Sequence, residues 1–296
     1  MKFSMKKVAT AAMATVAVLA MSAGSASAAP LFTINPNAIP GNLFATAPFN
    51  ATVFGGTSSE LVHLTSATTG LASGWVQLNS ASNGATVVGP LVTGLGVDYG
   101  LYIKFDLATL LLTGTNGGLG SSYALTKLDF KVWADKDLNT TFVNANSAGI
   151  GTEATVGGTT ADDILLAFGS IVPGQGTANI TLLAGAALNA IDTFAVCNGV
   201  GTASAGGVPI TGAPAAGCLG STGSSYFSQP VPFYSLAFSG FNNAAGGVTT
   251  NGNLVAVQDA VAALTFNKVP EPGSMALLGI ALAGLGISSL RGKKAA

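Results

Sequence analysis

Asp135, Asp137 and Asn139 stand at alternate positions in the stretch WADKDLNTTF. Oxygen ligands at that spacing open a calcium loop, because Ca²⁺ collects carboxylate, amide and backbone carbonyl oxygens. The match stops there. The sixth position is Thr140, where such a loop needs a turning glycine, and the twelfth is Asn146, where it needs a bidentate Glu. These residues can still form an open extracellular calcium site completed by backbone carbonyls, or an acidic turn between two strands. A second acidic pair, Asp162 and Asp163, precedes an apolar run. Two carboxylates can serve as acid and base in glycoside hydrolysis. Neighbours along a strand point to opposite faces, so this pair cannot act on one bond and reads as an edge or turn feature. His63 is the only histidine. A Ser-His-Asp triad would have to use it, and no G-x-S-x-G elbow accompanies it. One histidine and two distant cysteines make no zinc site. In ELVHLTS, His63 shares a face with Leu61, opposite Val62 and Leu64, as a solvated strand histidine does. The expectation is a protein that is not an enzyme and holds no resident cofactor beyond the calcium alternative.

The elements that would carry these residues are strands. Val, Ile, Thr and Phe recur in short runs cut by Gly, Asn and Ser, as in SGWVQLNS, YGLYIKFDLATLLLTG, ALTKLDFKVWAD, DDILLAFGSI, ANITLLAG and FYSLAFSGF. Leu125, Lys127, Asp129 and Lys131 interleave with Leu128, Phe130 and Val132. That pattern sets charges on one face and apolar groups on the other, as in a half-exposed antiparallel strand. AVQDAVAALTF is the one segment ambiguous between helix and strand. Glycine-rich stretches such as TGTNGGLGSS and GVGTASAGGVPITGAPAAG read as loops, and strand-like sequence resumes after each. The predicted fold is all-β: one antiparallel β-sandwich with long Gly-rich loops over residues 29–268. Only 8% of the chain is charged, so its polar surface is built mainly from Ser, Thr, Asn, Gln and Gly. Such a surface suits hydrogen bonding to neutral polymers and also self-association. Between Ala29 and Pro270 lie five lysines, no arginine and eleven acids, a net charge near −6. Nucleic acid or anionic lipid as the main partner needs a basic footprint and is not expected.

The two ends are of a different kind. Lys2, Lys6 and Lys7 precede the apolar VATAAMATVAVLAM, and small residues follow with Ala26-Ser27-Ala28 as an A-x-A site. Residues 1–28 therefore read as a secretory signal peptide with a helical core, cut after Ala28. Export places Cys197 and Cys218 in an oxidising compartment, where the pair is expected as a disulfide. It would close a Gly/Ala/Pro-rich loop of about twenty residues and stabilise it by roughly 3 kcal/mol. At the other end, Ser274 to Leu290 carries no charge and is long enough for a short transmembrane helix. Arg291, Lys293 and Lys294 follow as stop-transfer charges that keep the tail cytoplasmic. Before the helix, Val269-Pro270-Glu271-Pro272 cannot join it, because its prolines hold Glu271 extended.

Val269 to Pro272, then Gly273-Ser274, an apolar helix and a basic tail resemble the PEP-CTERM sorting signal, here residues 269–296 with its motif at 269–273. The resemblance implies processing by an exosortase, a membrane-embedded cysteine protease of exopolysaccharide-producing Gram-negative bacteria. It also implies an inner-membrane intermediate followed by the cell surface or extracellular matrix. The order YGLYIKFDLATLLLTG, LTKLDFKVWADKDLNTTF, DDILLAFGSI, DTFAVC, YFSQPVPFYSLAFSGF and LTFNKVPEP resembles the flocculation-associated PEP-CTERM proteins across Tyr99 to Pro272. That resemblance implies a matrix protein acting with extracellular polysaccharide in flocculation or biofilm cohesion. Two rival expectations remain. One is a secreted polysaccharide-active enzyme using carboxylates from distant strands. The other is a periplasmic protein kept permanently anchored by its C-terminal helix.

Overall fold

The structure, a computed structural model, describes residues 30–45, 47–181, 185–193, 195–197, 225–230, 235–242 and 247–266. Sixteen strands follow in chain order. They are β1 (Phe32–Ile34), β2 (Phe49–Ala51), β3 (Val53–Leu64), β4 (Thr69–Asn83), β5 (Thr86–Val88), β6 (Gly100–Thr113), β7 (Ser122–Asp135) and β8 (Thr140–Val143), then β9 (Thr155–Gly158), β10 (Ile164–Ile180), β11 (Ala186–Thr193), β12 (Ala195–Val196), β13 (Phe227–Gln229), β14 (Ser235–Asn242), β15 (Val248–Asn251) and β16 (Leu254–Phe266). The ambiguous AVQDAVAALTF is strand β16, kinked by a register shift next to Asp259, whose φ is +49°.

Eight of these strands pair antiparallel in the order β3-β4-β6-β7-β10-β11-β14-β16, and β16 returns to β3. The antiparallel all-β expectation is met. The two-layer expectation is refined, since the layers are continuous along both edges and form one up-and-down barrel. Closure leaves no unpaired edge in the ring. Each ring strand buries one face in a shared interior that includes Phe54, Val76, Ile103, Phe130, Leu166, Leu188, Leu236 and Leu264. An eight-stranded barrel is just wide enough to be filled in this way or to hold one small ligand.

In β7 the alternation holds with one phase change. A bulge opposite Ala108 and Thr109 lets Lys127 face out while Leu125, two residues earlier, turns in and is buried. Period-two alternation across a bulge places one residue on the opposite face, here Leu125.

The two ends of the barrel differ. At one end the small sheet β13-β1-β2 packs Phe32 and Phe227 against Phe54 and Phe266, with ring centroids 4.8–5.7 Å apart. This aromatic plug closes that end. Tyr226 joins it and shares a 2.9 Å hydroxyl contact with Tyr99. The opposite end, where β3 finishes and β16 begins, has no such plug among the described residues and holds a cavity of about 50 Å³.

The connection from β7 to β10 does not stay at the barrel rim. Its hairpin β8–β9 folds back over the outer wall, and Phe142 and Val156 pack on two apolar patches there. One patch holds Tyr102, Trp133, Leu165 and Phe168, and the other holds Leu61, Trp75, Leu254 and Ala256. This cover explains why both tryptophans are buried while facing away from the barrel axis. The indole N–H of Trp75 donates to the Val143 carbonyl at 2.9 Å. Ser59 Oγ accepts from Ala145 N–H and donates to the Val257 carbonyl, each at 2.8 Å.

Candidate functional site

Among the described residues, charged groups gather on the outer wall where β6 and β7 emerge beside the edge of the hairpin cover. Lys104 pairs directly with Lys131 across the two strands, and Asp106 pairs with Asp129. Like charges directly opposite one another destabilise a sheet. Their juxtaposition is offset partly by the diagonal alternation of sign and by Lys127, whose Nζ lies 3.2 Å from Asp129. Burial and the neighbouring Lys104 ammonium both hold the Lys131 pKa below the ordinary lysine value.

These groups line a cleft of about 830 Å³ between Ser73, Lys104, Asp106, Lys127, Asp129 and Lys131 on the barrel and Glu153 to Val156 on the cover. Glu153 ties the two walls together. Its Oε1 lies 2.6 Å from His63 Nε2, and its Oε2 accepts from Ser73 Oγ at 3.2 Å. Trp133 also lines the cleft, and its buried indole N–H meets no acceptor among the described residues. The cleft thus presents ammonium donors, carboxylate acceptors and a hydroxyl along one wall. That set suits a polyhydroxylated ligand better than an apolar one.

The residues singled out from the sequence are distributed elsewhere. His63 does face outward with Leu61, as expected, and its partner is Glu153 rather than solvent alone. Asp135 accepts backbone N–H bonds from Asn139 (3.3 Å) and Thr140 (2.9 Å), so its carboxylate organises the β7–β8 turn. Among the described residues no group of three or more His, Cys, Asp or Glu is arranged to hold a metal ion, Asp135 and Asp137 included. Asp162 lies 3.3 Å from Lys136. Asp163 is fully buried, hydrogen-bonded by the Tyr102 hydroxyl and by Thr140 Oγ1. Burial pushes its carboxyl up to about 6. The two neighbours therefore work apart, as their opposite facing requires.

Cys197 is buried beside Phe168 and Trp133 and is not a free thiol. Cys218, Ala26, Ala28, the motif Val269-Pro270-Glu271-Pro272, the segment 274–290 and the charges Arg291, Lys293 and Lys294 all lie outside the described residues. Among the described residues no helix is long and apolar enough to cross a membrane.

Sequence reading missed Lys104, Asp106 and Glu153 as site members. The first two were legible as alternating charges in YIKFDLA, but their facing partners depend on register. Glu153 sits in a loop whose sequence carries no periodic signal.

No curated protein and no solved structure matches the chain. One family does: residues 268–291 match the PEP-CTERM protein-sorting motif. The motif follows directly on the last barrel strand, which ends at Phe266. The chain thus carries a PEP-CTERM protein-sorting motif, the signal that directs a protein to export and exosortase processing.

Proposed function

We propose that the chain is a non-enzymatic cell-surface or matrix protein that acts with extracellular polysaccharide in flocculation or biofilm cohesion. After loss of residues 1–28, the sorting segment holds it briefly in the inner membrane. Cleavage near Pro270-Glu271-Pro272 then releases the barrel, stapled by a Cys197–Cys218 disulfide, to the surface of a Gram-negative cell. The observation that carries the polysaccharide role is the polar cleft on the outer wall, where Lys104, Lys131, Asp106 and Asp129 face one open space with Trp133 in its lining. Sugar rings offer hydroxyls to just such alternating donors and acceptors. Charge-assisted hydrogen bonds are the stronger class for that purpose.

Affinity electrophoresis of the purified protein through polysaccharide extracted from the producing cells tests this reading. Wild-type protein is expected to be retarded, and Lys131→Ala or Asp129→Ala to weaken retardation about tenfold, the loss of one charge-assisted hydrogen bond. Equal mobility with and without polysaccharide would remove the adhesion role. Intact mass of the extracellular form tests processing separately. A mass lacking both residues 1–28 and the segment after Pro272 is expected, whereas retention of 274–296 in every form would leave a plain membrane anchor.

A further inference from the structure

The cavity at the end of the barrel opposite the aromatic plug is separate from the outer cleft. Its walls come from β3, β6, β7, β10, β11, β15 and β16, and they are apolar: Val62, Leu107, Ile180, Leu188, Val255 and Val257 among them. Into this lining projects one acid. Glu60 has the same strand parity as Val62 and Leu64, so its side chain is carried inward. The wall beside it makes room, since Gly74 lies directly opposite and a Cβ there would stand 2.8 Å from Glu60 Cβ and 2.6 Å from the Phe105 ring.

No hydrogen bond or ion pair reaches the Glu60 carboxyl among the described residues. The remaining polar lining is Thr109, Tyr123 and Asn179, and among the described residues no Lys, Arg or His lines the cavity. Thr109 lies 3.5 Å from the Gly70 carbonyl, and the Tyr123 hydroxyl accepts from Gly117 N–H at 2.7 Å. His63, on the same strand, faces the outer surface and meets Glu153 there.

An ionised carboxylate in an apolar enclosure needs a paired cation or must take up a proton. Here the enclosure supplies no cation and leaves about 50 Å³ beside the carboxyl. That space suits a few aliphatic atoms rather than a ring. We propose that this end of the barrel binds a primary ammonium carried on a short aliphatic chain, with Glu60 as its counter-ion and the Val62, Leu107 and Val255 walls around its methylenes. Burial holds the Glu60 carboxyl up at about 7. Ammonium binding favours the carboxylate, so affinity falls as pH drops below that value. Among the described residues, Tyr123 is the only other titratable group in the lining.

The test is an NMR titration of the purified full-length chain with n-butylamine, n-butanol and butyrate, following methyl resonances of Val62, Leu188 and Val255. At pH 8 the amine is expected to shift these methyls saturably and at least about tenfold more tightly than the alcohol, with butyrate inert. At pH 5 the amine's advantage should disappear. Glu60→Gln should weaken the amine about tenfold, abolish its pH dependence and leave the alcohol unchanged. The unchanged alcohol response shows that the variant is folded. Val255→Phe should fill the space and abolish both. Absence of saturable amine shifts at pH 8, or equal amine affinity in Glu60→Gln, would overturn the proposal.

Discussion

Single residues in this protein are constrained most where the backbone of one strand crowds the face of the next. Gly169 on β10 illustrates the point. A Cβ at this position would lie 1.8 Å from the Thr193 carbonyl oxygen and 2.6 Å from the Phe130 ring. Gly169→Ala must therefore displace backbone rather than a flexible side chain. It is expected to cost at least about 2 kcal/mol, read as a lower urea midpoint at unchanged m-value. Glu60 was legible in a different way. Its parity in SSELVHL, shared with Val62 and Leu64, already sends it inward. What no local pattern reveals is that nothing across the barrel among the described residues answers its charge, because that depends on side chains from six other strands. The Lys104–Lys131 and Asp106–Asp129 pairs are similar: each alternation is visible alone, while the register that sets like against like is a property of the pair.

Among the elements, the β8–β9 cover does most to shape the surface. It buries Trp75 and Trp133 on the outside of the barrel, and it forms one wall of the polar cleft. Phe142 is its anchor, 5.0 Å from the Trp75 ring and 5.7 Å from Tyr102. Phe142→Ala is expected to lower stability by about 2 kcal/mol and to speed hydrogen exchange across residues 140–158. The ring strands should keep their protection, since their ladders do not depend on the cover. Equal loss of protection in β3 and β4 would instead show that cover and barrel unfold as one unit. The sequence showed a turn here with acidic residues. It did not show that the turn returns over the outer wall, because the apolar residues that receive it come from β3, β4, β6, β7, β10 and β16.

At the scale of the whole molecule, three enclosed carboxyls give the fold an acid-favoured stability. Burial raises Glu60 to about 7, Asp163 to about 6 and Asp192 to about 8. Asp192 is fully buried with neither carboxyl oxygen hydrogen-bonded among the described residues. In the unfolded chain such groups ionise near pH 4. Between that pH and their folded values the native state holds protons that the unfolded chain has released, so stability declines as pH rises through this window. The melting temperature at pH 5 is expected to exceed that at pH 9 by at least about 4 °C, the equivalent of one pKa unit on one carboxyl. Asp192→Asn should remove a large part of that slope. A melting temperature that rises from pH 5 to pH 9 would contradict this assignment of the buried acids.

The outward positions of β6 and β7 also bear on the molecule as a whole. A barrel that crosses a lipid bilayer with its strands carries an apolar band outside, and here Lys104, Asp106, Asp129 and Lys131 occupy that side. The sequence by itself determined the antiparallel strand content, the face that most strands bury and the C-terminal sorting motif. These are local properties: alternation has a period of two residues, and the motif is one contiguous segment. Only the tertiary structure decided that the strands close into a ring, that a hairpin covers the outer wall, and that one end is plugged while the other keeps a cavity with Glu60. Each of these rests on contacts between residues far apart in the chain, where burial and charge are set by what the other strands supply.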